Sequence, residues 1–480
     1  MLLLLPEILV SFLALSLLVL LCISPNKTCT KTICIMAYVL ILSGIYFTAL
    51  ASCGSNCIVD SIFHNNYIID KLAYGLKGIL ILGSGIIILY IKNYLIAHNL
   101  FKTEFFALFI LSILGQIICI SAAHMLLTYL GIELMALSIY GLAAFNYSKQ
   151  ISIEAAIKYM VLGAIASAFL LYGISMVYGA TGSLVYSEIF NSIADKSYNS
   201  TIMLLGVIFI IAALAFKLGL VPFHMWAPDV YEGSNNASVL ILSTLPKIAI
   251  AALFYRLFSH VFYDISGKYI MIFQVIAISS LFVANLTAIM QKNIKRMLAY
   301  STISQLAFVL LAFISSYDKS NLIFAVNSGM FYTVIYVFSA MAVFSILLGL
   351  TSVNDDLTIN DLKGLAKKNP LIGFGLLICM FSLAGIPPTI GFYAKLLVIQ
   401  SLVHTHNYIL AILAVVSSVI AAFYYLRIVK VIYFDEITEK LPEFIQTKSA
   451  KLFMLLNLCL LLALGIYPKA LIGIFQNIIY

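Results

Sequence analysis

Apolar residues run along this chain in blocks too long for the core of a water-soluble protein. A helix needs about 20 apolar residues to cross a hydrocarbon layer of about 30 Å. Scanning for such stretches predicts membrane-spanning segments near residues 2–23, 33–53, 72–91, 104–122, 124–145, 154–178, 201–222, 236–258, 269–290, 294–315, 321–350, 370–402, 407–433 and 450–476. The fold class is therefore an all-α polytopic membrane protein of about 14 transmembrane helices. Polar positions gather in short strings between the blocks, so separate soluble domains are not expected.

Two segments are interrupted. Segment seven runs through FKLGLVPFHMWAPDV, where Gly219, Pro222 and Pro228 weaken or remove helical hydrogen bonds, and segment twelve does the same at SLAGIPPTIGFYAK, with Gly385, Pro387 and Pro388. The breaks fall five helices apart, and an odd spacing means that the two helices cross in opposite directions. This predicts an inverted repeat, segments 4–8 against 9–13, of the kind that places ion sites at broken helices near the midplane. The expected divisions are an N-terminal three-helix segment (1–103), a first repeat (104–258), a second, inverted repeat (269–433) and a C-terminal helix (450–480).

Composition agrees with the pattern: of 480 residues, 63% are hydrophobic and only 10% charged, and the mean hydropathy is +1.09. The opening apolar run lacks a basic flank and holds Pro6 and Glu7, so it reads as a retained helix rather than a secretory signal. The net charge of +8 is spread over loops and helices rather than gathered in a patch, so no nucleic-acid partner is implied. Eight scattered cysteines include no CxxC pair, and no metal or cluster is expected; a Cys53–Cys57 bridge is a minor alternative to ordinary buried thiols. Lys and Arg favour the loops after odd-numbered helices by 16 to 6. Those loops should be cytoplasmic, with both termini facing outward.

An ionisable side chain at a helix centre costs about 2.5–3.5 kcal/mol on insertion scales, so several in one chain require a reason. Glu133, Lys217, Lys247 and Lys395 all lie in apolar surroundings near segment middles or breaks. Direction of travel puts Lys217 and Lys395 on the outer side of their breaks, and the four are expected to form a lateral row suited to proton transfer. Burial favours a neutral amine, a nearby carboxylate favours the ammonium, and a Glu133–Lys217 pair that opens and closes would drive a proton toward Lys247 and Lys395. A static buried ion pair is the alternative. Lys158 stands four residues after Glu154, where a local salt bridge or snorkelling competes with a transport role.

His224, just past the first break, is a candidate relay, although a hydrogen-bonded buried histidine fits equally. Lys77 reads as a snorkelling side chain, Glu7 and Glu104 as helix-start carboxylates, and His124 and Trp226 as interface or packing residues. Asp229 and Glu232 read as structural or partner-binding groups.

The stretch KLGLVPFHMWAPDVYEGSNNASVLILSTLPK resembles the signature of antiporter-like subunits shared by respiratory complex I and Mrp-type cation/proton antiporters. Lys247 directly after Pro246, and AGIPPTIGFYAK with Lys395, are similar to the N-type chain, the mitochondrial subunit-two family. Ending after segment fourteen, without a long lateral helix, favours the N over the L type. The resemblance covers nearly the whole chain. It implies a proton-translocating subunit of an NADH:quinone oxidoreductase in which Glu133 and Lys217 are the coupled pair, Lys247 the central relay, Lys395 the terminal carrier and Lys158 a matching family lysine. Ser304 or Gln305 answers Glu133 in the second repeat, leaving no matching ion pair there. The same resemblance implies K-, M- and L-type neighbours in a membrane arm. NADH, FMN, iron–sulfur clusters and quinone are then held by other subunits, with no cofactor on this chain; no Rossmann turn or P-loop occurs in the sequence. Two alternatives stay open: an Mrp-like cation/proton antiporter subunit and a non-conducting spacer whose charges fix helix packing.

Overall fold

The computed structural model describes residues 4–23, 30–53, 60–63, 65–350, 357–437, 443–469 and 472–473; Cys57, and with it the Cys53–Cys57 alternative, lies outside them. The helices are α1 (Leu5–Ile23), α2 (Thr30–Cys53), α3 (Lys71–Ala97), α4 (Thr103–Ser121), α5 (Met125–Ala143), α6 (Gln150–Thr181), α7 (Tyr186–Ala194), α8 (Ser200–Leu218), α9 (Trp226–Gly233) and α10 (Asn236–Ser243). They continue as α11 (Leu245–Arg256), α12 (Ser266–Met290), α13 (Ile294–Ile314), α14 (Leu322–Leu350), α15 (Leu365–Lys368), α16 (Pro370–Ala384), α17 (Ile390–His404), α18 (Tyr408–Tyr433) and α19 (Lys448–Ile466). A small antiparallel hairpin, β1 (Asp60–Ile62) on β2 (Tyr67–Ile69), pairs Asp60 with Ile69. Thirteen described helical stretches are long and apolar enough to cross a membrane, and the shorter α16 and α17 together make a fourteenth crossing.

Hydrogen bonds between loops sort the molecule into two ends. At one end Tyr67 bridges to Ala122 and His124 to Val185, Asp70 pairs with Arg256, and Lys268 reaches Ser200. At the other, which is richer in basic loops, Asn293 bridges to Thr358, Arg296 pairs with Asp229 and Glu232, and Arg427 donates to the carbonyls of Ile289 and Gln291. These ties alternate along the chain, so successive crossings run in opposite directions and the two broken segments are antiparallel. In each group of five, the first helix packs on the second and the fifth: α4 on α5 and α11, and α12 on α13 and α18.

Both breaks are built alike. α8 ends at Gly219 and α16 at Gly385, each in the left-handed region (φ 78° and 81°) that only glycine enters without a Cβ penalty. The turn is closed by Leu220 N–H on the Ala215 carbonyl and by Ile386 N–H on the Phe381 carbonyl, both 2.9 Å. A third interruption, not apparent from hydropathy, divides segment eight at Thr244 (φ −115°, ψ −93°), where Pro246 begins α11 without an amide donor. The most interior helices, α10, α11, α13 and α14, are buried almost all round, whereas α1, α18 and α19 turn one apolar face outward, as lipid-facing helices do.

Candidate functional site

Breaking a helix inside an apolar bundle frees main-chain carbonyls, and each unmet carbonyl there is costly. The intramembrane polar side chains meet these carbonyls. At the first break the Trp226 indole N–H donates to the Phe216 carbonyl (3.0 Å), and Lys247 Nζ donates to the Lys217 carbonyl (3.2 Å). At the interruption in segment eight the Tyr336 hydroxyl donates to Ser243 (3.0 Å). At the second break Gln305 Nε2 donates to Leu383 (2.8 Å) and Lys395 Nζ to Ala384 (2.8 Å).

The three lysines are buried, with Lys217 7%, Lys247 1% and Lys395 6% exposed, and none makes a salt bridge among the described residues. Lys217 Nζ donates to the Tyr140 hydroxyl (3.4 Å). Tyr140 meets Tyr159 edge-on at 4.6 Å, Tyr159 stacks on Trp226 at 4.4 Å, and Lys247 Nζ lies 5.6 Å from the Trp226 ring centre. Trp226, read from sequence as a packing residue, thus joins the surroundings of two lysines while closing a break. Lys395 Nζ lies 5.2 Å from the Phe308 ring centre. Ring faces and the negative ends of half-helices both stabilise an ammonium without a carboxylate.

Glu133 is half-buried on α5 and accepts a hydrogen bond from Ser167 of α6. It lies within coulombic reach of Lys217 without ion-pair contact. Lys158 is exposed and bonded to Glu154 (2.9 Å) and Asp229 (3.1 Å), in a cluster at the basic end with Glu232 and Arg296 around a cavity of about 440 Å³. Burial alone would raise the Asp229 carboxyl, but Lys158 and Arg296 outweigh it and hold it below its ordinary value. His224 is buried in the turn after the first break, and its Nδ1 has no hydrogen-bond partner among the described residues.

Several uncharged polar groups continue the site, and of these the sequence reading named only Gln305, as one of two positions lacking the carboxylate. The Tyr336 hydroxyl also lies within hydrogen-bonding distance of the Thr302 hydroxyl (2.9 Å), and Gln305, one turn along α13 from Thr302, bonds to Tyr332 and to Tyr425 (3.0 Å). Tyr332 and Tyr336 are four residues apart on α14, a spacing that puts both hydroxyls on one face. That pair inside an apolar helix was the available signal. Lys77 does not snorkel. It is buried, 1% exposed, and pairs with Glu7, which also takes the Tyr67 hydroxyl, so Glu7 is more than a helix-start carboxylate. Sequence could not pair residues 70 positions apart. His124 caps α5, accepting from Leu126 N–H (3.2 Å).

Antiparallel broken helices, with buried lysines set on their free carbonyls, define an antiporter-like membrane subunit. Residues 122–421 match the family described as NADH:quinone oxidoreductase/Mrp antiporter, transmembrane. The NADH-quinone oxidoreductase subunit N of Cupriavidus taiwanensis is 43% identical over 417 residues, covering 86% of this chain and 84% of that protein. That of Paraburkholderia phymatum is 40% identical, covering 92% and 90%. A chain of respiratory complex I from Thermus thermophilus superposes with a TM-score of 0.81 at 27% identity, covering 97% of this chain and 98% of that one. A chain of the Mrp complex of Dietzia shares the fold, with a TM-score of 0.83 at 19% identity over 99% and 96%. This chain belongs to the NADH:quinone oxidoreductase/Mrp antiporter family, in its subunit N branch, as the resemblance implied.

Proposed function

We propose that this chain is a proton-translocating membrane-arm subunit of an NADH:quinone oxidoreductase, in which Glu133, Lys217, Lys247 and Lys395 pass protons along a row in the membrane plane. The observation that carries this reading is the set of three buried lysine side chains, each on or beside a helix break and without a carboxylate contact among the described residues. An ion pair would hold the proton, whereas a carbonyl, a hydroxyl or a ring face stabilises the ammonium weakly enough for the proton to leave. Moving one charge across the membrane takes about 2.3 kcal/mol per 100 mV, a load that switching one carboxylate contact can match.

In this reading the repeats 104–258 and 269–433 conduct, flanked by 1–103 and 450–480. Lys158, within the ionic cluster at the basic end, suits proton admission from that side, and the free Nδ1 of His224 suits a relay. The basic end faces the cytoplasm and the termini the periplasm. The partners are K-, M- and L-type membrane subunits and lipid. NADH, FMN, iron–sulfur clusters and quinone belong to other subunits, so this chain carries no cofactor or metal and performs no redox step.

The test is proton pumping alongside NADH:quinone electron transfer in proteoliposomes bearing Lys217→Ala or Lys395→Ala, once assembly is verified. Loss of pumping in an intact complex is the expected result. Pumping and turnover at wild-type rates in both variants would overturn the carrier role and leave the chain a spacer.

A further inference from the structure

Gln305 is buried on α13 at a place the sequence marks only as lacking the carboxylate that Glu133 supplies in the first repeat. Its amide is fully engaged: Nε2 donates to the Leu383 carbonyl (2.8 Å) and the Tyr425 hydroxyl (3.0 Å), while Oε1 accepts from Tyr332. Leu383 and Ala384 present the two consecutive carbonyls freed by the second break, and Lys395 takes the other. Gln305 and Lys395 also line one polar crevice, with Tyr332, Tyr336, Ser339 and Ser382, large enough for about one water molecule.

The charge balance around this crevice is specific. α17, which carries Lys395, packs against α13, α14, α16, α18 and α19, and none of these six helices contains an Asp or Glu. Their basic residues other than Lys395, namely Lys295, Arg296, Lys448 and Lys451 at helix starts, His404 in the last turn of α17 and Arg427 and Lys430 in the last two turns of α18, stand at helix ends. The titratable groups facing the crevice are the Tyr332, Tyr336 and Tyr425 hydroxyls, which stay neutral in such surroundings. A carboxylate in place of the Gln305 amide would share the crevice with the ammonium and bind its proton in place.

We propose that Gln305 is a positioning residue for Lys395: it pins the Leu383 carbonyl so that the adjoining Ala384 carbonyl stays aimed at the ammonium, and it keeps the crevice uncharged so that Lys395 can release its proton. This rests on the proton-transfer reading above. Counted from the glycine that ends each half-helix, Leu383 answers Lys217, whose carbonyl is met by Lys247 in the first repeat, so the second repeat sets a neutral amide where the first has a lysine.

The experiment measures pumping and electron transfer against pH in assembled complexes carrying Gln305→Glu, Gln305→Leu or Lys395→Ala. Gln305→Glu should slow pumping about fivefold at pH 7 and move its pH optimum upward by about one unit, because an adjacent carboxylate favours the protonated lysine. Gln305→Leu should slow pumping without moving the optimum, and Lys395→Ala should abolish it. If Gln305→Glu does not assemble, Ser382→Asp delivers a carboxylate to the same crevice from α16 and must give the same upward shift. Lys395→Ala abolishing pumping while the carboxylate variant keeps the wild-type profile, or while both Gln305 variants slow pumping with an unmoved optimum, overturns the positioning role alone. Wild-type pumping by Lys395→Ala overturns the proton-transfer reading itself, and this proposal with it.

Discussion

The ammonium of Lys247 donates to the main-chain carbonyl of Lys217 at 3.2 Å, so two lysines 30 residues apart are joined through backbone rather than side chain to side chain. The bond closes the broken end of α8 and places the second lysine beside the first without a carboxylate between them. In the proposed reading Lys247 both holds the break and carries a proton, and substitution can separate the two roles.

Lys247→Arg keeps a cationic donor for the Lys217 carbonyl, but a guanidinium does not release its proton in a protein. The complex should assemble with pumping lost. Lys247→Met should lose pumping and also some stability, about 1–3 kcal/mol for the carbonyl left unmet. Thermal stability and proton uptake measured on the same preparations separate the effects; pumping at the wild-type rate in Lys247→Arg would remove this residue from the route.

Asp70 and Arg256 form a two-pronged pair (3.0 and 3.1 Å) that ties the start of α3 to the end of α11, and Arg256 Nε also donates to the Ile120 carbonyl (2.6 Å). Burial would raise the Asp70 carboxyl, but the guanidinium holds it below its ordinary value. Asp70→Ala strands a buried charge and should cost about 3–5 kcal/mol, whereas replacing both partners with apolar residues should recover much of that loss. Yield of assembled complex on native gels is the readout, and a single variant as stable as wild type would count against the pair.

Asp229 joins α9 to Lys158 and Arg296, and its carboxyl is held below the ordinary range. A depressed carboxyl contributes stability that is present above its unfolded value, about pH 4, and is lost as pH falls through the lower folded value. Thermal melts of the complex between pH 6 and pH 3 should therefore steepen in acid for wild type and flatten for Asp229→Asn. Identical acid profiles would exclude a contribution from this tie. The group is partly exposed, so the difference should shrink in high salt.

A Cβ added at Gly391 would stand 1.9 Å from the Ser382 carbonyl oxygen, because the two halves of segment twelve touch there. Gly391→Ala must push α17 from α16, at a cost of about 1–3 kcal/mol, and draw Lys395 away from Ala384. Slower pumping and a lower melting temperature should appear together; an unchanged protein on both measures would mean that the helix halves are not in contact.

The sequence by itself determined the solvent, the number of crossings, the two Gly-Pro breaks and the three buried lysines. Each of these is a local property: an apolar run must meet lipid, a proline lacks an amide, and a charge inside an apolar run stands out whatever surrounds it. It also carried the family, through the stretch from Lys217 to Lys247. Only the tertiary structure decided which side chain meets which freed carbonyl, that segment eight is interrupted before Lys247, that Lys77 finds Glu7 rather than water, and that Lys158 and Arg296 share Asp229. Tyr332 and Tyr336 passed unnoticed, and Gln305 stood out only as one of two positions lacking a carboxylate, because uncharged polar residues cost little in a hydropathy scan. Their significance lies in hydrogen bonds to helices far away in sequence, and those exist only once the two repeats have packed together.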